Sequence, residues 1–219
     1  MTIKLIRCIA FSALTLSLAS CASTPETVDP NAEFDLSEYL FHKKVNIENG
    51  VVNYTEKFFK KDEPPSVAAQ YGYQYQRNGN NINVQAVGLE GLANQYNVTE
   101  DTINDVRPQM GDSRSFSRFA RLGDTYLDTE FTSVNVSESC VLSDFFDTFH
   151  LSSATGSLRL SNKTYNNVIR VRCISEFTNR STNRGNYRWS VYYAKGIGPI
   201  FKDGNWQNHL GQIYSIYEY

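Results

Sequence analysis

Neither sign of charge is in surplus in this 219-residue sequence, which has 21 Lys and Arg residues against 23 Asp and Glu. A protein that binds nucleic acid through phosphates needs a clear basic excess, so nucleic acid is not expected as a partner. The apolar fraction of 41%, taken with this charge balance, excludes a disordered polyelectrolyte and a protein with several transmembrane helices. One folded domain with appendages is expected at this length.

Recognisable catalytic and metal-binding patterns are also scarce. The histidines His42, His150 and His209 stand in no H-x-x-x-H or H-E-x-x-H spacing. The sequence has no G-x-S-x-G elbow, no Walker motif and no dinucleotide glycine pattern. On a strand, Asp124 and Asp128 would lie about 13 Å apart, too far for a glycosidase carboxylate pair. We therefore predict no catalytic residues, no metal ligands and no cofactor, and expect that the protein is not an enzyme.

The first 20 residues have the order of a bacterial secretory signal. Lys4 and Arg7 form a short basic region before the apolar stretch Ile9–Leu18. As a helix this stretch would be about 15 to 18 Å long, too short to cross the roughly 30 Å hydrocarbon core of a membrane. The tetrad Leu18-Ala19-Ser20-Cys21 resembles the lipobox of bacterial lipoproteins. The resemblance implies cleavage before Cys21 and lipidation of its sulfur. An ordinary cleavage site of the small-x-small kind is the alternative.

An anchor of this kind implies a location and a division of the chain. Two or more acyl chains hold a protein stably on a membrane. Ala22 stands where lipoproteins retained in the inner membrane of enteric bacteria carry Asp. The resemblance thus implies an outer-membrane lipoprotein that faces the periplasm, with the membrane as its partner through the lipid on Cys21. We divide the chain into a signal peptide (1–20), a lipidated cysteine with a flexible tether (21–33) and an antiparallel β domain (34–219).

Four cysteines then reduce to one pair. Cys8 lies in the signal and Cys21 in the lipobox, which leaves Cys140 and Cys173. Two remaining cysteines in an oxidising compartment most often form a disulfide, and we predict that bridge here. It would close a loop of about 33 residues and contribute about 3 to 4 kcal/mol in the chain-entropy model. Two separate thiols or a metal site are the alternatives.

Fourteen Tyr and thirteen Phe accompany a period-two alternation of apolar and polar residues along most of the chain. This pattern predicts strands at 52–58, 71–76, 82–87, 93–98, 115–120, 125–138, 157–160, 167–177, 186–194 and 212–218. Asn78-Gly79-Asn80 predicts a hairpin between the second and third strands. Val141–His150 fits a short helix or a strand, and Asp35–Phe41 fits a helical turn or an extended entry. The predicted fold is all-β: one curved antiparallel sheet, or a half-open barrel or sandwich, with at most one or two short helices.

A second resemblance covers about the last 100 residues. It rests on Tyr165-x-x-Val168-x-x-Val171-x-Cys173, a polar stretch, and then Trp189-x-x-Tyr192-Tyr193-Ala194-Lys195-Gly196-Ile197-Gly198. The order is similar to the closing strands of uncharacterised periplasmic and outer-membrane β-lipoproteins, where a Y-A-x-G-x-G-like turn leads into a short strand. The resemblance implies a curved antiparallel sheet over a core. A structural explanation also suffices for the glycines, because they permit positive φ where the chain leaves the strand.

Three functions fit these features, and the sequence assigns no ligand-binding residue to any of them. The first is a non-enzymatic binding or envelope-maintenance module of the cell envelope, with an envelope protein, a lipid or a glycan as partner. The second is a periplasmic carrier of a lipid or other apolar ligand, which needs an aromatic-lined half-barrel with few polar groups. The third is a glycan-binding or glycan-active protein. Convergent carboxylates in a cleft would favour catalysis, and aromatic faces without them would favour binding.

Replacement of Cys21→Ser is expected to abolish incorporation of labelled palmitate, because serine offers no sulfur for a thioether. The matched control Cys8→Ser changes a cysteine within the signal and should retain the label. Gel autoradiography of cells grown with labelled palmitate measures both variants. Persistent labelling of Cys21→Ser contradicts the lipid anchor.

Overall fold

The computed structural model describes residues 28–47, 49–60, 69–87, 93–107, 112–131, 136–154, 162–178, 184–206 and 211–219. These residues form fourteen β-strands and two helical turns of four residues each. Two short strands, β1 (Glu33–Asp35) and β8 (Phe119–Arg121), pair with each other, and the other twelve form one antiparallel sheet. The prediction of an all-β fold with a curved antiparallel sheet and at most two short helices is confirmed.

The bounds of the remaining elements are as follows. The large sheet contains β2 (Val51–Lys60), β3 (Ala69–Asn78), β4 (Asn81–Val87), β5 (Ala93–Val98), β6 (Thr102–Arg107), β7 (Asp112–Ser117), β9 (Thr125–Phe131), β10 (Val136–His150), β11 (Thr164–Thr178), β12 (Arg184–Ala194), β13 (Gly198–Trp206) and β14 (Gly211–Glu218). The helical turns are α1 (Ser37–Leu40) and α2 (Leu151–Ala154). Among these residues, no helix is long and apolar enough to cross a membrane.

The sheet curves until its two end strands meet. Its strand order is β7-β6-β5-β4-β3-β2-β14-β13-β12-β11-β10-β9, so almost every strand pairs with its neighbour in the chain, and β14 pairs with β2. The first and last strands of that order, β7 and β9, lie side by side. The result is a nearly closed, barrel-like wall, which we call the barrel.

Side chains hold the seam between β7 and β9, since these strands are not neighbours in the hydrogen-bonded order of the described sheet. The rings of Phe116 on β7 and Tyr126 on β9 meet edge to face, with centroids 5.4 Å apart. Arg114 on β7 reaches past β9 to Glu138 on β10, with 2.6 Å between nitrogen and oxygen. Closure of the barrel along this seam therefore depends on packing and on an ion pair.

Two predicted turns have the expected geometry. In the hairpin of β3 and β4, Asn78 lies opposite Asn81, and Gly79 in the two-residue loop has a φ of 59°. In the turn from β12 to β13, Gly196 and Gly198 have φ values of 71° and 103°. These values lie in the left-handed region that glycine adopts readily, so the structural explanation of both glycines is confirmed.

The structure decides one alternative and corrects other predictions. Val141–His150 adopts the strand of its two alternatives as part of β10, and it pairs with β11 apart from an irregularity between Leu142 and Asp144. The strand predicted at 125–138 is two strands, β9 and β10. The sequence does not predict β6, and the strand predicted at 157–160 lies outside the described residues.

The segment before β2 closes one end of the barrel. Leu36 and Phe41 are each 1% exposed and join the core cluster inside the wall. Asp35 fixes the start of this segment because the guanidinium of Arg118 donates to both of its carboxylate oxygens, at 2.9 and 2.5 Å. Burial raises the pKa of Asp35, but the hydrogen bonds from Arg118 and Ser37 lower it by more, so the net pKa lies below its usual value.

A second apolar cluster lies on the opposite face of the sheet. Ile216 belongs to this cluster and Tyr217 to the interior one, as expected for consecutive residues of a strand. The same switch occurs between Phe145 and Phe146 on β10. Leu151 of α2 packs into this outer cluster and is fully buried. This part of the sheet is thus apolar on both faces.

The predicted disulfide is confirmed. Cys140 on β10 and Cys173 on β11 lie directly opposite each other and are bonded, with their Cα atoms 4.1 Å apart. Both cysteines are buried against the interior. Cys21, the predicted signal peptide and most of the predicted tether lie outside the described residues.

Candidate functional site

The interior of the barrel contains a cavity of about 380 Å³. This volume falls within the range of roughly 300 to 1,000 Å³ that is typical of small-molecule sites. Leu40 and Phe41 of the closing segment form part of its lining, and inward-facing side chains of the strands form the rest.

Aromatic side chains make up much of the lining because they recur at alternate strand positions, whose side chains all point to the interior face of the sheet. Tyr54 on β2 stacks on Tyr73 and Tyr75 of β3, with ring centroids 4.9 and 5.0 Å apart. The tyrosines and the tryptophan that line the cavity are Tyr54, Tyr73, Tyr75, Tyr96, Tyr126, Trp189, Tyr193 and Tyr217. Such side chains offer flat apolar faces together with hydroxyl or indole hydrogen-bond donors.

Ionisable side chains of both signs share this lining. The acidic ones are Glu56, Asp105 and Glu138, and the basic ones are Arg107, Arg114 and Lys202. Three formal charges of each sign therefore balance within the cavity wall. They stand on β2, β6, β7, β10 and β13, so only the closed sheet brings them together.

Arg114 is the centre of one charged group. Its guanidinium donates to Asp105 at 2.8 Å and to Glu138 at 2.6 Å, and Arg107 lies 3.4 Å from the same Asp105 oxygen. Asp105 is only 1% exposed. Burial by itself lowers the pKa of Arg114, but the charges of Glu138 and Asp105 outweigh it and raise that pKa. The Arg114 guanidinium therefore stays charged between the two carboxylates.

Glu56 forms a second polar group with tyrosines. The Tyr217 hydroxyl donates to Glu56 Oε1 at 2.9 Å. Burial, followed by the charge of Glu56 and a hydrogen bond to it, raises the pKa of Tyr73 to about 12. Burial, again with Glu56, raises the pKa of Tyr217 well above its ordinary value. Both hydroxyls thus remain protonated donors at neutral pH.

Lys202 differs from the two arginines. No ion pair or hydrogen bond engages its Nζ among the residues that the structure describes. That atom instead lies 5.8 Å from the ring centroids of both Tyr187 and Trp189. Burial in the wall lowers the pKa of the Lys202 amine, and the more distant charges of Glu56 and Glu138 partly oppose this change.

Among the described residues, one group of three side chains has the spacing of metal ligands, but it does not form a metal site. Glu138, Cys140 and Cys173 have ligand atoms within 4.8 Å of one another. The two sulfurs are bonded to each other, and Glu138 is held by Arg114. A disulfide supplies no thiolate, so these three side chains do not form a metal-ligand set.

The carboxylates of Asp124, Asp128, Asp144 and Asp147 do not converge on the cavity. Asp124 caps a turn by accepting from the Arg121 amide at 2.8 Å, and Asp144 is paired with Arg170. Asp128 and Asp147 are exposed.

The two histidines within the described residues, His42 and His150, also stand apart from the cavity lining. His42 lies in the closing segment, and burial with the charges of Lys44 and Lys43 lowers its pKa. His150 contacts Thr164 at 3.0 Å. His209 lies outside the described residues.

The sequence analysis predicts none of the six charged residues of the cavity, although the alternation along their strands indicates an inward position for several of them. Glu56 continues the inward series Val52-x-Tyr54, and Asp105 follows Ile103 in the same phase. Glu138 likewise precedes Cys140 and Leu142. A charged residue at an inward position of an alternating strand is therefore the feature that could have indicated a polar interior.

Comparison of this chain with protein-family models, with curated proteins and with solved structures finds no match.

Replacement of Arg114→Met should lower the free energy of unfolding by about 3 to 5 kcal/mol, because it leaves the buried Asp105 charge without its main partner. The matched control is Arg172→Met, since Arg172 is 58% exposed and lies 3.6 Å from Asp144 at the surface. That change should cost about 0 to 1 kcal/mol. Urea denaturation measures both variants, and equal losses would contradict the role given to Arg114.

Proposed function

We propose that this chain is a lipid-anchored protein of the bacterial cell envelope, whose barrel interior binds a small polar ligand such as a sugar without transforming it. The lipobox at Cys21 supports the anchor and an outer-membrane location facing the periplasm. The cavity supports the binding role. The observation that carries the proposal is the combination of tyrosine and tryptophan faces with six ionisable side chains around about 380 Å³.

A polar ligand suits this lining better than a lipid. An apolar ligand would displace water from charged and hydroxyl groups without replacing their hydrogen bonds, and that loss is costly. A sugar presents hydroxyls that both donate and accept, together with C–H faces that pack on aromatic rings. Tyr75 and Tyr193 offer such rings, and Tyr73 and Glu56 offer a donor and an acceptor in the same cavity. These properties favour the glycan-binding alternative over the apolar carrier.

Binding also suits the carboxylates better than hydrolysis does. A glycosidase needs one carboxylic acid free to donate a proton and a second carboxylate free to attack or to activate water. Asp105 and Glu138 have their Oδ2 and Oε1 oxygens engaged by Arg114 at 2.8 and 2.6 Å. Glu56 accepts from Tyr217. These contacts fix the carboxylates as parts of the wall.

The anchor and the closed end of the barrel belong to the same part of the chain. The proposed tether leads into β1 and then into the segment that carries Leu36 and Phe41. In this proposal the closed end is nearest the membrane. The opposite end, where β2, β4, β6, β9, β11 and β13 finish, points away from it.

Saturation-transfer NMR on the purified domain tests the proposed ligand class. We expect methyl β-D-glucoside or N-acetylglucosamine to receive saturation and laurate to receive none. Val191→Phe, which enlarges a side chain that lines the cavity, should reduce sugar binding about tenfold or more.

Ile174→Phe is the matched control, because Ile174 is 41% exposed on the neighbouring strand β11. It should leave sugar binding unchanged. Binding of laurate in place of the sugars, or equal effects of the two variants, contradicts a polar ligand in the interior. Cleavage of the glycosidic bond of methyl β-D-glucoside during the experiment contradicts a non-enzymatic role.

A further inference from the structure

Lys202 lies on the cavity side of β13. The adjacent residue Phe201 packs into the outer cluster, so alternation along the strand directs Lys202 inward. Its ammonium faces two rings of β12, Tyr187 and Trp189, which stack with centroids 4.6 Å apart and an interplanar angle of 19°. A distance of 5.8 Å from each centroid is within the range of a cation–π contact.

The position of this ring pair depends on Gly204. A Cβ on Gly204 would lie 2.6 Å from the Tyr187 hydroxyl and 3.1 Å from its ring. Only a residue without a side chain lets Tyr187 lie across β13 at this point. Gly204 stands two residues after Lys202, so the ring pair and the ammonium occupy one small region of the wall.

The charges around Lys202 leave its ammonium available to an anion. Arg114 is held by Asp105 and Glu138, and Arg107 lies at Asp105. Glu56 accepts from the Tyr217 hydroxyl rather than from Lys202. Of the three basic side chains that line the cavity, Arg107 and Arg114 each form an ion pair with a carboxylate, and within the described part of the chain Lys202 does not. Lys202 is partly buried, and a cation in that position without an ion-pair partner is unfavourable, so a bound anion would relieve that cost.

We propose that Lys202, Trp189 and Tyr187 form a subsite for the carboxylate of an acidic sugar, a hexuronate. This inference rests on the proposed function and specifies its ligand. The carboxylate would accept from the Lys202 ammonium, a charge-assisted hydrogen bond. The sugar ring would pack beside Trp189, and its hydroxyls would face the tyrosines of the cavity.

The test compares two probes that differ at one carbon, methyl β-D-glucuronide and methyl β-D-glucoside, by NMR titration of the purified protein. The wild-type chain should bind the glucuronide about tenfold or more tightly than the glucoside. Lys202→Met should remove that difference and leave the affinity for the glucoside unchanged. Lys195→Met is the matched control, because Lys195 is an exposed lysine paired with Glu38 at 2.8 Å. It should keep the wild-type preference.

The outcomes separate this inference from the proposed function. Equal affinity of the wild-type chain for both probes overturns the carboxylate subsite and leaves sugar binding intact. Failure of both probes together with the sugars of the earlier screen overturns sugar binding and the subsite with it. Tighter binding of 4-hydroxybenzoate than of the glucuronide overturns the assignment to a sugar acid. The comparison of probes on the wild-type chain needs no variant, so it decides the question even if Lys202→Met fails to fold.

Discussion

The ion pairs of Arg114 with Asp105 and Glu138 are the interaction on which the closed shape of the barrel depends. The sheet has two end strands, β7 and β9, which are not neighbours in its hydrogen-bonded order. Arg114 extends from β7 to β10 and holds the two ends together, with the Phe116–Tyr126 ring contact beside it. An open edge strand can pair with another chain through its unpaired backbone groups, and the packing of β7 against β9 covers both edges.

This way of closing the barrel determines the character of its interior. Charges that close a seam from the inside must be buried, and buried charges need partners. The wall supplies them as balanced pairs and as tyrosine hydroxyls around Glu56, so the core is only partly apolar. The closing segment with Leu36 and Phe41 fills one end of the barrel, while the disulfide of Cys140 and Cys173 ties β10 to β11 beside the bridge. The remaining space is a cavity lined by polar and aromatic side chains. A carrier of an apolar lipid would instead be expected to have few polar groups in its lining.

Local patterns predict the strands, the turn glycines and the disulfide, but not the cavity. Alternation identifies Tyr71–Gln76, and Gly79 marks its hairpin, because both depend on residues close in sequence. Val141–His150 stays ambiguous because β10 is apolar on both faces, with Phe145 against the interior and Phe146 in the outer cluster. Asp105, Glu138 and Lys202 come together only through the curvature of the whole sheet, which no local pattern contains. The sequence also does not predict that side chains close the barrel, because that depends on which two strands, here β7 and β9, stand at the ends of the sheet.

Hydrogen exchange, followed by mass spectrometry on the wild-type domain and on Arg114→Met, tests closure of the seam most directly. If Arg114 holds the barrel closed, the amides of β7 and β9 lose protection in the variant, while those of β2, β14 and β13 on the far side keep theirs. Unchanged protection of β7 and β9, or an equal loss across the whole sheet, would contradict that role.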